Sequence, residues 1–401
     1  MTAPRGAALL FIWFTVFLDM LALGLIVPVL PRLVESMAGG DTVAAAHALG
    51  VFGTAWALMQ LVAMPVIGSL SDRFGRRRVV VLSNLGTGLD YVLMALAPNL
   101  VWLFIGRVIS GITAASISTA FAYIADVLPP EKRAQGFGRL GIAFGLGFII
   151  GPAIGGLLGS VDPRLPFWVA AGLSLANALY GWLVLPESLP PEKRGAFRWK
   201  RANPIGALAA LRGRPGLPGL AAVQFLAQLA HVALPSVTVL YAGYRYGLTE
   251  AQLGLMLAAV GASSAVVQGV LVGPTVKRFG ERRTMLLGLG AGALGFAGYG
   301  LAPDVSWFIA SVPLMALWGI GGPAMQSLMS RRVPADEQGR LQGATSSLQG
   351  IAGLMGPALF TTALALAIGD WSWLGLPGLP MLVASGLMVA ALGLGWRVTR
   401  R

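Results

Sequence analysis

The sequence predicts an all-α membrane protein whose twelve transmembrane helices form two bundles of six, related by pseudo-twofold symmetry. The chain has 401 residues, of which 56% are hydrophobic and only 11% are charged, less than half the roughly 25% charged residues of soluble domains. Twelve apolar segments are long enough to cross a membrane as helices. A set of motifs also recurs in the second half of the chain at a constant offset, which indicates two tandem repeats.

The apolar segments set the predicted spans. A hydrocarbon core of about 30 Å needs about 20 apolar residues in a helix. The first span is predicted to be retained rather than cleaved, because its apolar run exceeds that of a signal peptide and contains Asp19. In chain order the spans are 7–30, 44–70, 79–97, 100–123, 137–158, 167–185, 220–241, 253–275, 285–302, 307–328, 341–368 and 374–396.

The basic residues predict the orientation in the membrane. The chain has 29 Lys and Arg residues and a net charge of +13. With both termini in the cytoplasm, 25 of the 29 fall in cytoplasmic segments and three in outer loops, as the positive-inside rule requires. The charge therefore reports topology and does not indicate a nucleic-acid partner. We expect a multi-pass protein of the cell (inner) membrane.

The repeat predicts the domain organisation. The segment 68–78 recurs as 273–283, and the same offset of 205 relates Trp102 to Trp307. Six spans in each copy indicate parallel repeats about an axis along the membrane normal. The predicted domains are an N-terminal bundle at 1–186, a cytoplasmic linker at 187–218 and a C-terminal bundle at 219–401. Asn203-Pro204 predicts a short interfacial helix in the linker.

These features together resemble the major facilitator superfamily. The loop after the second span carries that superfamily's signature, and the fourth span has its membrane-embedded Arg motif, Arg107-xxx-Gly111. The fifth span resembles the motif typical of antiporters. The residues that carry these resemblances are Gly68, Asp72, Arg73, Gly75 and Arg76 in the loop, and Gly141, Gly145, Gly151, Pro152, Gly155 and Gly156 in the fifth span.

Within that superfamily the sequence is most similar to the tetracycline/proton antiporters. The matching stretches are 17–19, 24–31, 58–60, 90–98, 224–228 and 338–343, together with Gln268. The sequence departs from that family at two positions. Where the family places a His in the eighth helix this chain has Ser263-Ser264, and where it places an Asp in the ninth helix this chain has Gly290-Ala291-Gly292-Ala293.

Three charged residues lie within the predicted spans, namely Asp19, Asp90 and Arg107. A charge at the bilayer centre costs at least about 2.5–3.5 kcal/mol, so such residues usually serve a function. We assign proton coupling to this set. Asp19 carries the exchangeable proton, and Asp90 is a second proton site or helps to bind substrate. The alternatives are that Asp19 caps a broken helix, that Asp90 bonds a neighbouring helix and that Arg107 is a static counter-ion.

Polar and aromatic residues of the spans are candidates for substrate binding. Amides facing lipid would be costly, so together they are expected to line a cavity, although each alone could bond a neighbouring helix. Trp318 is a candidate for an aromatic wall or for ordinary packing. His231 is interpreted as a packing residue. The candidate substrate-binding residues are Gln60, Tyr91, Gln224, Gln228, Gln268 and Trp318.

The loop motif is predicted to act as a cytoplasmic gate. Gly68 is expected to allow close helix approach, and Gly75 to supply a turn with positive φ. Asp72 is expected either to accept bonds from the first backbone N–H groups of the next helix or to pair with Arg76. In the fifth span, glycines 141, 145, 147, 151 and 155 together with Pro152 predict a smooth, bendable face, suited either to sliding or to tight static packing.

The function that the sequence favours is secondary active export of a tetracycline-like or other amphipathic drug in exchange for protons, by alternating access. The alternatives are a multidrug exporter that does not carry tetracycline and proton-coupled uptake of a small organic nutrient. No Walker-type phosphate loop and no catalytic motif is present, so an enzyme is not indicated. We expect a monomer with no cofactor or resident metal, driven by the proton gradient. Its expected partners are protons, a small-molecule substrate and the lipid bilayer. We expect a divalent cation to accompany the substrate in some cases.

Overall fold

A computed structural model describes residues 5–114, 116–194, 211, 216–334 and 337–400. The regular structure of these residues is helical. The predicted linker helix at Asn203-Pro204 lies outside them. The helices of the first half are α1 (Arg5–Ile26), α2 (Leu30–Met37), α3 (Thr42–Phe74), α4 (Arg76–Leu96), α5 (Leu100–Thr113), α6 (Ser116–Val127), α7 (Pro130–Gly159) and α8 (Leu165–Leu183).

The second half repeats this pattern with more interruptions. A π-helical segment, Val267–Leu271, follows α10, and a 3-10 segment, Trp318–Ile320, follows α13. Its helices are α9 (Leu217–Tyr246), α10 (Glu250–Val266), α11 (Val272–Leu301), α12 (Val305–Ala310), α13 (Val312–Leu317), α14 (Gly321–Ser330), α15 (Gln338–Ile368) and α16 (Leu379–Val398).

Several of these helices are long and apolar enough to cross a membrane. Within the described residues there are nine such helical stretches. One of them, Glu250–Leu301, covers two predicted spans and is divided at Gly280, whose φ is 74°. A φ in this range favours glycine, so the chain turns there between two spans. The number of twelve crossings and the cytoplasmic location of the termini stay predictions.

The repeat is visible in how equivalent helices begin. The Asn99 side chain accepts hydrogen bonds from the N–H groups of Val101 and Trp102 at the start of α5. Asp304, at the repeat position of Asn99, accepts one from Trp307 N–H at the start of α12. A side-chain oxygen in this position satisfies backbone donors that the first turn of a helix leaves unpaired. The same cap therefore sets the start of both copies.

Packing divides the chain into two compact units. Unit 1 comprises residues 1–37, 55–203 and 249–258, and unit 2 comprises 38–54, 204–248 and 259–401. Each unit thus contains a short segment from the other half of the sequence, residues 249–258 in unit 1 and residues 38–54 in unit 2, and glycine contacts hold these segments. In unit 1, a Cβ on Gly156 would lie 2.9 Å from Gly254 Cα, and in unit 2 a Cβ on Gly53 would lie 2.7 Å from Pro357 Cβ. A side chain at either Gly156 or Gly53 would overlap its neighbour. The domain boundaries derived from the sequence repeat remain a prediction.

In unit 1, α1 packs closely on α7. Cβ atoms on Gly147 and Gly151 would lie 2.5 Å from Met20 Cβ and 2.7 Å from Gly24 Cα. A Cβ on Gly155 would overlap the backbone of Leu25. The expected glycine face therefore exists between residues 147 and 155. The close packing does not extend to Gly141 and Gly145, where a Cβ would meet no atom within 4 Å, and the sliding role of the whole face stays a prediction.

Candidate functional site

Asp19 is held by a polar cluster inside unit 1. The carboxylate lies on α1, and the Asn177 side chain of α8 donates a hydrogen bond to its Oδ1 at 2.8 Å. Asn177 also donates to the Thr15 carbonyl oxygen at 3.0 Å, which fixes its amide against α1. The Asn177 side chain is fully buried. Asp19 is therefore held in place by a neighbouring helix.

A second amide reaches the same carboxylate from α4. In the orientation that satisfies both of its polar atoms, Asn84 donates to Asp19 Oδ1 at 3.0 Å and to Oδ2 at 3.3 Å. Such an orientation is chosen from the hydrogen-bond network. Asn84 is 2% exposed. Two buried amides on two different helices thus converge on one carboxylate, and each supplies a donor that stabilises a negative charge.

Asn84 and Asn177 are not among the residues predicted from the sequence. The available signal was an amide in the middle of an otherwise apolar segment, which is the signal that identified the glutamines. Both asparagines lie in spans whose glycines, alanines and leucines indicate packing, and sequence spacing does not place α4 and α8 beside Asp19. The structure adds them to the candidate proton site.

Asp90 and Arg107 form a separate group in unit 1. Asp90 is 1% exposed, and the Ser110 hydroxyl group of α5 is the polar side chain beside its carboxylate. Arg107 acts on Asp90 electrostatically, and its guanidinium carbon lies 5.3 Å from the centre of the Trp56 ring. Tyr91 is 3% exposed beside this group. Its burial leaves little surface for a substrate.

Unit 2 contains a cavity of about 530 Å³, within the usual range of small-molecule sites. Three of the predicted amides, Gln224, Gln228 and Gln268, lie on its wall together with Trp318. The Gln224 side-chain oxygen is buried without a hydrogen-bond partner in the described structure. Among the described residues that line it, His231 alone is ionisable. This wall therefore offers neutral donors and acceptors beside an aromatic ring.

Two irregular segments shape this cavity. Gln268 lies in the π-helical segment and Trp318 begins the 3-10 segment. These segments pack on each other through Val267 and Ile320. Such departures from α-helical geometry are often found at functional sites. Here each segment contributes one side chain, Gln268 or Trp318, to the cavity wall. Helical periodicity in the sequence does not predict these two irregular segments.

Further residues of the wall were missed or interpreted differently. His231 lines the cavity, and its ring centre lies 5.2 Å from that of Trp318, so it packs on the aromatic wall and also faces the cavity. Gln326 and Gln349 also line the cavity. Gln60 is not among its lining residues and lies half-buried on α3 in unit 1. Of the predicted substrate-binding set, the structure thus brings four residues together and leaves Gln60 and Tyr91 elsewhere.

The loop motif forms an ion-pair cluster in unit 1. Arg76 is 8% exposed and pairs with Asp72 at 2.6 Å and with Asp126 at 3.0 Å. The backbone N–H of Arg76 donates to Glu187 Oε1 at 2.8 Å. Of the two roles expected for Asp72, the structure shows the pair with Arg76, while Glu187 satisfies the first N–H of α4. Arg76 therefore ties α3, α6 and the segment after α8 to one point.

The two motif glycines behave differently. Gly75 has φ of 99°, the geometry that the sequence predicts for the turn between α3 and α4. A Cβ on Gly68 would meet no atom within 4 Å, so the expected close approach at Gly68 was wrong. Arg73 stacks its guanidinium over Phe74, 5.2 Å from the ring centre, and is exposed.

Comparisons with known proteins match the whole fold. The family model of the Major Facilitator Superfamily matches residues 12–357. The chain is similar to the tetracycline resistance protein, class C, of Escherichia coli, with 37% identity over 96% of this chain and 95% of that protein. It is also similar to the class G protein of Vibrio anguillarum, with 38% identity over 90% and 91% of the two chains.

Solved structures show the same fold. The human organic anion transporter MFSD10 (TETRAN) superimposes with a TM-score of 0.72 at 24% identity, covering 98% of this chain and 100% of that chain. The nucleoside transporter NupG superimposes with a TM-score of 0.76 at 14% identity, covering 98% of this chain and 99% of that chain. The arrangement of helices and the family match lead to one conclusion, which is that the chain belongs to the major facilitator superfamily.

Proposed function

We propose that the protein is a secondary active transporter that exports tetracycline-class or related amphipathic drugs in exchange for protons, by alternating access. The observation that carries this proposal is the half-buried Asp19 carboxylate, which receives hydrogen bonds from two buried amides within the membrane-spanning helices of unit 1. Such donors stabilise the charged form of a carboxylate that is partly withdrawn from water. Its loss or gain of a proton is therefore a discrete event that can be coupled to transport.

Substrate binding is assigned to the cavity of unit 2. Tetracyclines carry hydroxyl, keto and amide groups around a fused-ring frame, and the cavity provides Gln224, Gln228 and Gln268 beside the Trp318 ring. The unpaired Gln224 oxygen would gain a hydrogen bond from a substrate hydroxyl group. Leaving such a buried acceptor unsatisfied costs about 1–3 kcal/mol, and substrate binding would recover part of that cost.

The similarity to tetracycline resistance proteins of several classes supports this substrate. Ser263-Ser264 and the glycine and alanine residues at 290–293 favour a second candidate, which is a drug exporter with a different preference. Those positions lack the ionisable groups that the tetracycline antiporters place there. Both candidates use the same proton site and differ only in the compound that fills the cavity.

Binding of the drug to the purified protein tests the substrate assignment. We expect Trp318→Ala and Gln228→Ala each to weaken tetracycline binding by about tenfold, which corresponds to about 1.4 kcal/mol. Gln135→Ala is the matched control, since Gln135 is an exposed amide of α7 outside the cavity. If the three variants bind equally well, the cavity is not the tetracycline site. If wild type binds other amphipathic drugs and not tetracycline, the second candidate is correct.

A further inference from the structure

Unit 2 has a second cavity, a groove of about 790 Å³ between α11 and α13. Nine of its ten lining residues are apolar, among them Leu287, Leu294, Leu314 and Leu317. Leu287 and Leu294 are 50% and 62% exposed. A membrane helix exposes such side chains to lipid, so the groove is a place where lipid contacts the protein.

Small residues of α11 open this groove. Gly290 and Ala291 lie on its wall, and a Cβ on Gly290 would meet only Leu392 Cδ2 at 4.0 Å. Along α11 the groove runs from Arg283 to Leu294, about 16 Å at 1.5 Å per residue. This length is close to half of a ~30 Å hydrocarbon core. The groove therefore has the length of one acyl chain in one leaflet.

The first repeat differs at the same place. Leu85 occupies the repeat position of Gly290 on α4 and is 39% exposed. Its isobutyl group stands where the second repeat has only a hydrogen atom. The open volume at Gly290 is therefore specific to unit 2 at this position and is not a requirement of the shared helix arrangement.

One end of the groove is basic. Arg283 is exposed and lines the groove, and among the described residues its guanidinium has no hydrogen-bond or ion-pair partner. Arg278 lies over the ring of Phe279, 5.4 Å from its centre, and Phe279 is also part of the groove wall. The neighbouring acid, Glu281, is already paired with Arg331 at 2.6 Å.

We propose that this groove binds an anionic phospholipid. One acyl chain fills the space beside Gly290, and the headgroup phosphate pairs with the Arg283 guanidinium. Arg278 adds to the positive potential at the same end and favours a headgroup with net negative charge over a zwitterionic one. Arginine forms strong, directional hydrogen bonds with phosphate. The groove thus combines an acyl site with a phosphate site, and this assignment does not depend on the transported substrate.

Native mass spectrometry of the full chain in detergent tests this proposal, with equimolar phosphatidylglycerol and phosphatidylcholine as probes. We expect wild type to retain one phosphatidylglycerol in preference to phosphatidylcholine. Arg283→Gln should weaken phosphatidylglycerol binding by about tenfold and remove the preference. Gly290→Leu should weaken the binding of both lipids, because the leucine side chain fills the groove.

Arg78→Gln is the matched control, since Arg78 occupies the repeat position of Arg283 and is also exposed. This control should bind phosphatidylglycerol as wild type does. Equal binding of the two lipids by wild type, or equal losses in Arg283→Gln and Arg78→Gln, would overturn the proposal. If Gly290→Leu does not fold, the comparison of the two exposed arginine variants still decides the question.

Discussion

Removal of the Asn177 amide is expected to lower proton-coupled drug export. Asn177→Ala deletes the donor that lies 2.8 Å from Asp19 Oδ1 and leaves Asn84 as the other amide donor among the described residues. A hydrogen bond to a charged group contributes about 1.5–3 kcal/mol. Since about 1.4 kcal/mol corresponds to a factor of ten, the variant should lower the rate of coupled uptake by about one to two orders of magnitude.

The loss follows from what the amide does for Asp19. Asn177 donates to the carboxylate and fixes its position against α8, so the alanine variant leaves the carboxylate less well held and without one of its donors. Asn177→Asp is expected to be more severe, because it places a second carboxyl group against the first.

The assay is drug uptake into inverted membrane vesicles, measured with and without an imposed proton gradient. Ser174→Ala is the matched control, because Ser174 is a buried polar residue one turn earlier on α8 whose hydroxyl oxygen has no partner among the described residues. A loss of packing alone would lower uptake to a similar extent in both variants. Equal gradient-driven uptake by Asn177→Ala and Ser174→Ala would refute the role assigned to this amide.

Two further substitutions test the packing that surrounds the site. Gly155→Ala should sharply reduce the amount of folded protein, because the added Cβ would overlap the backbone of Leu25. Gly141→Ala on the same helix is the control and should be tolerated. The yield of detergent-stable protein compares the two variants, and equal yields would contradict the close packing of α1 on α7. Arg76→Gln should lower the free energy of unfolding by about 2 kcal/mol, because it leaves two carboxylates of the ion-pair cluster without their cation. This value is below the about 3–5 kcal/mol of a fully buried pair, because Asp72 is half exposed. Arg78→Gln is its control, and thermal melts that coincide for the two variants would rule out a stabilising role for the cluster.

The helical fold was predictable because its causes are local or periodic. Segments of about 20 apolar residues predict helices, and the offset of 205 predicts that equivalent elements recur, as the caps at Asn99 and Asp304 show. The interruptions within helices could not be predicted from the sequence in this way. The π-helical segment at Val267–Leu271 and the breaks within the tenth predicted span, 307–328, depend on packing with neighbours, which sequence periodicity does not encode.

The candidate site was predictable where a residue was unusual for its surroundings. Asp19 stands out because a carboxylate in an apolar span is costly, and the unit 2 glutamines stand out for a related reason. Asn84 and Asn177 were missed because neutral amides also stabilise helix packing, and only the structure brings α1, α4 and α8 together at Asp19. For Gln60, a substrate-binding role stays a prediction, because composition does not show which helical face a residue occupies.

Proton release from proteoliposomes tests the central claim most directly. Purified protein is reconstituted with a pH-sensitive dye inside, a proton gradient is imposed, and tetracycline is added outside. We expect drug addition to release protons through wild type and through Asp370→Asn, an exposed control residue, and to release none through Asp19→Asn. Proton release by Asp19→Asn at the wild-type rate would contradict the account.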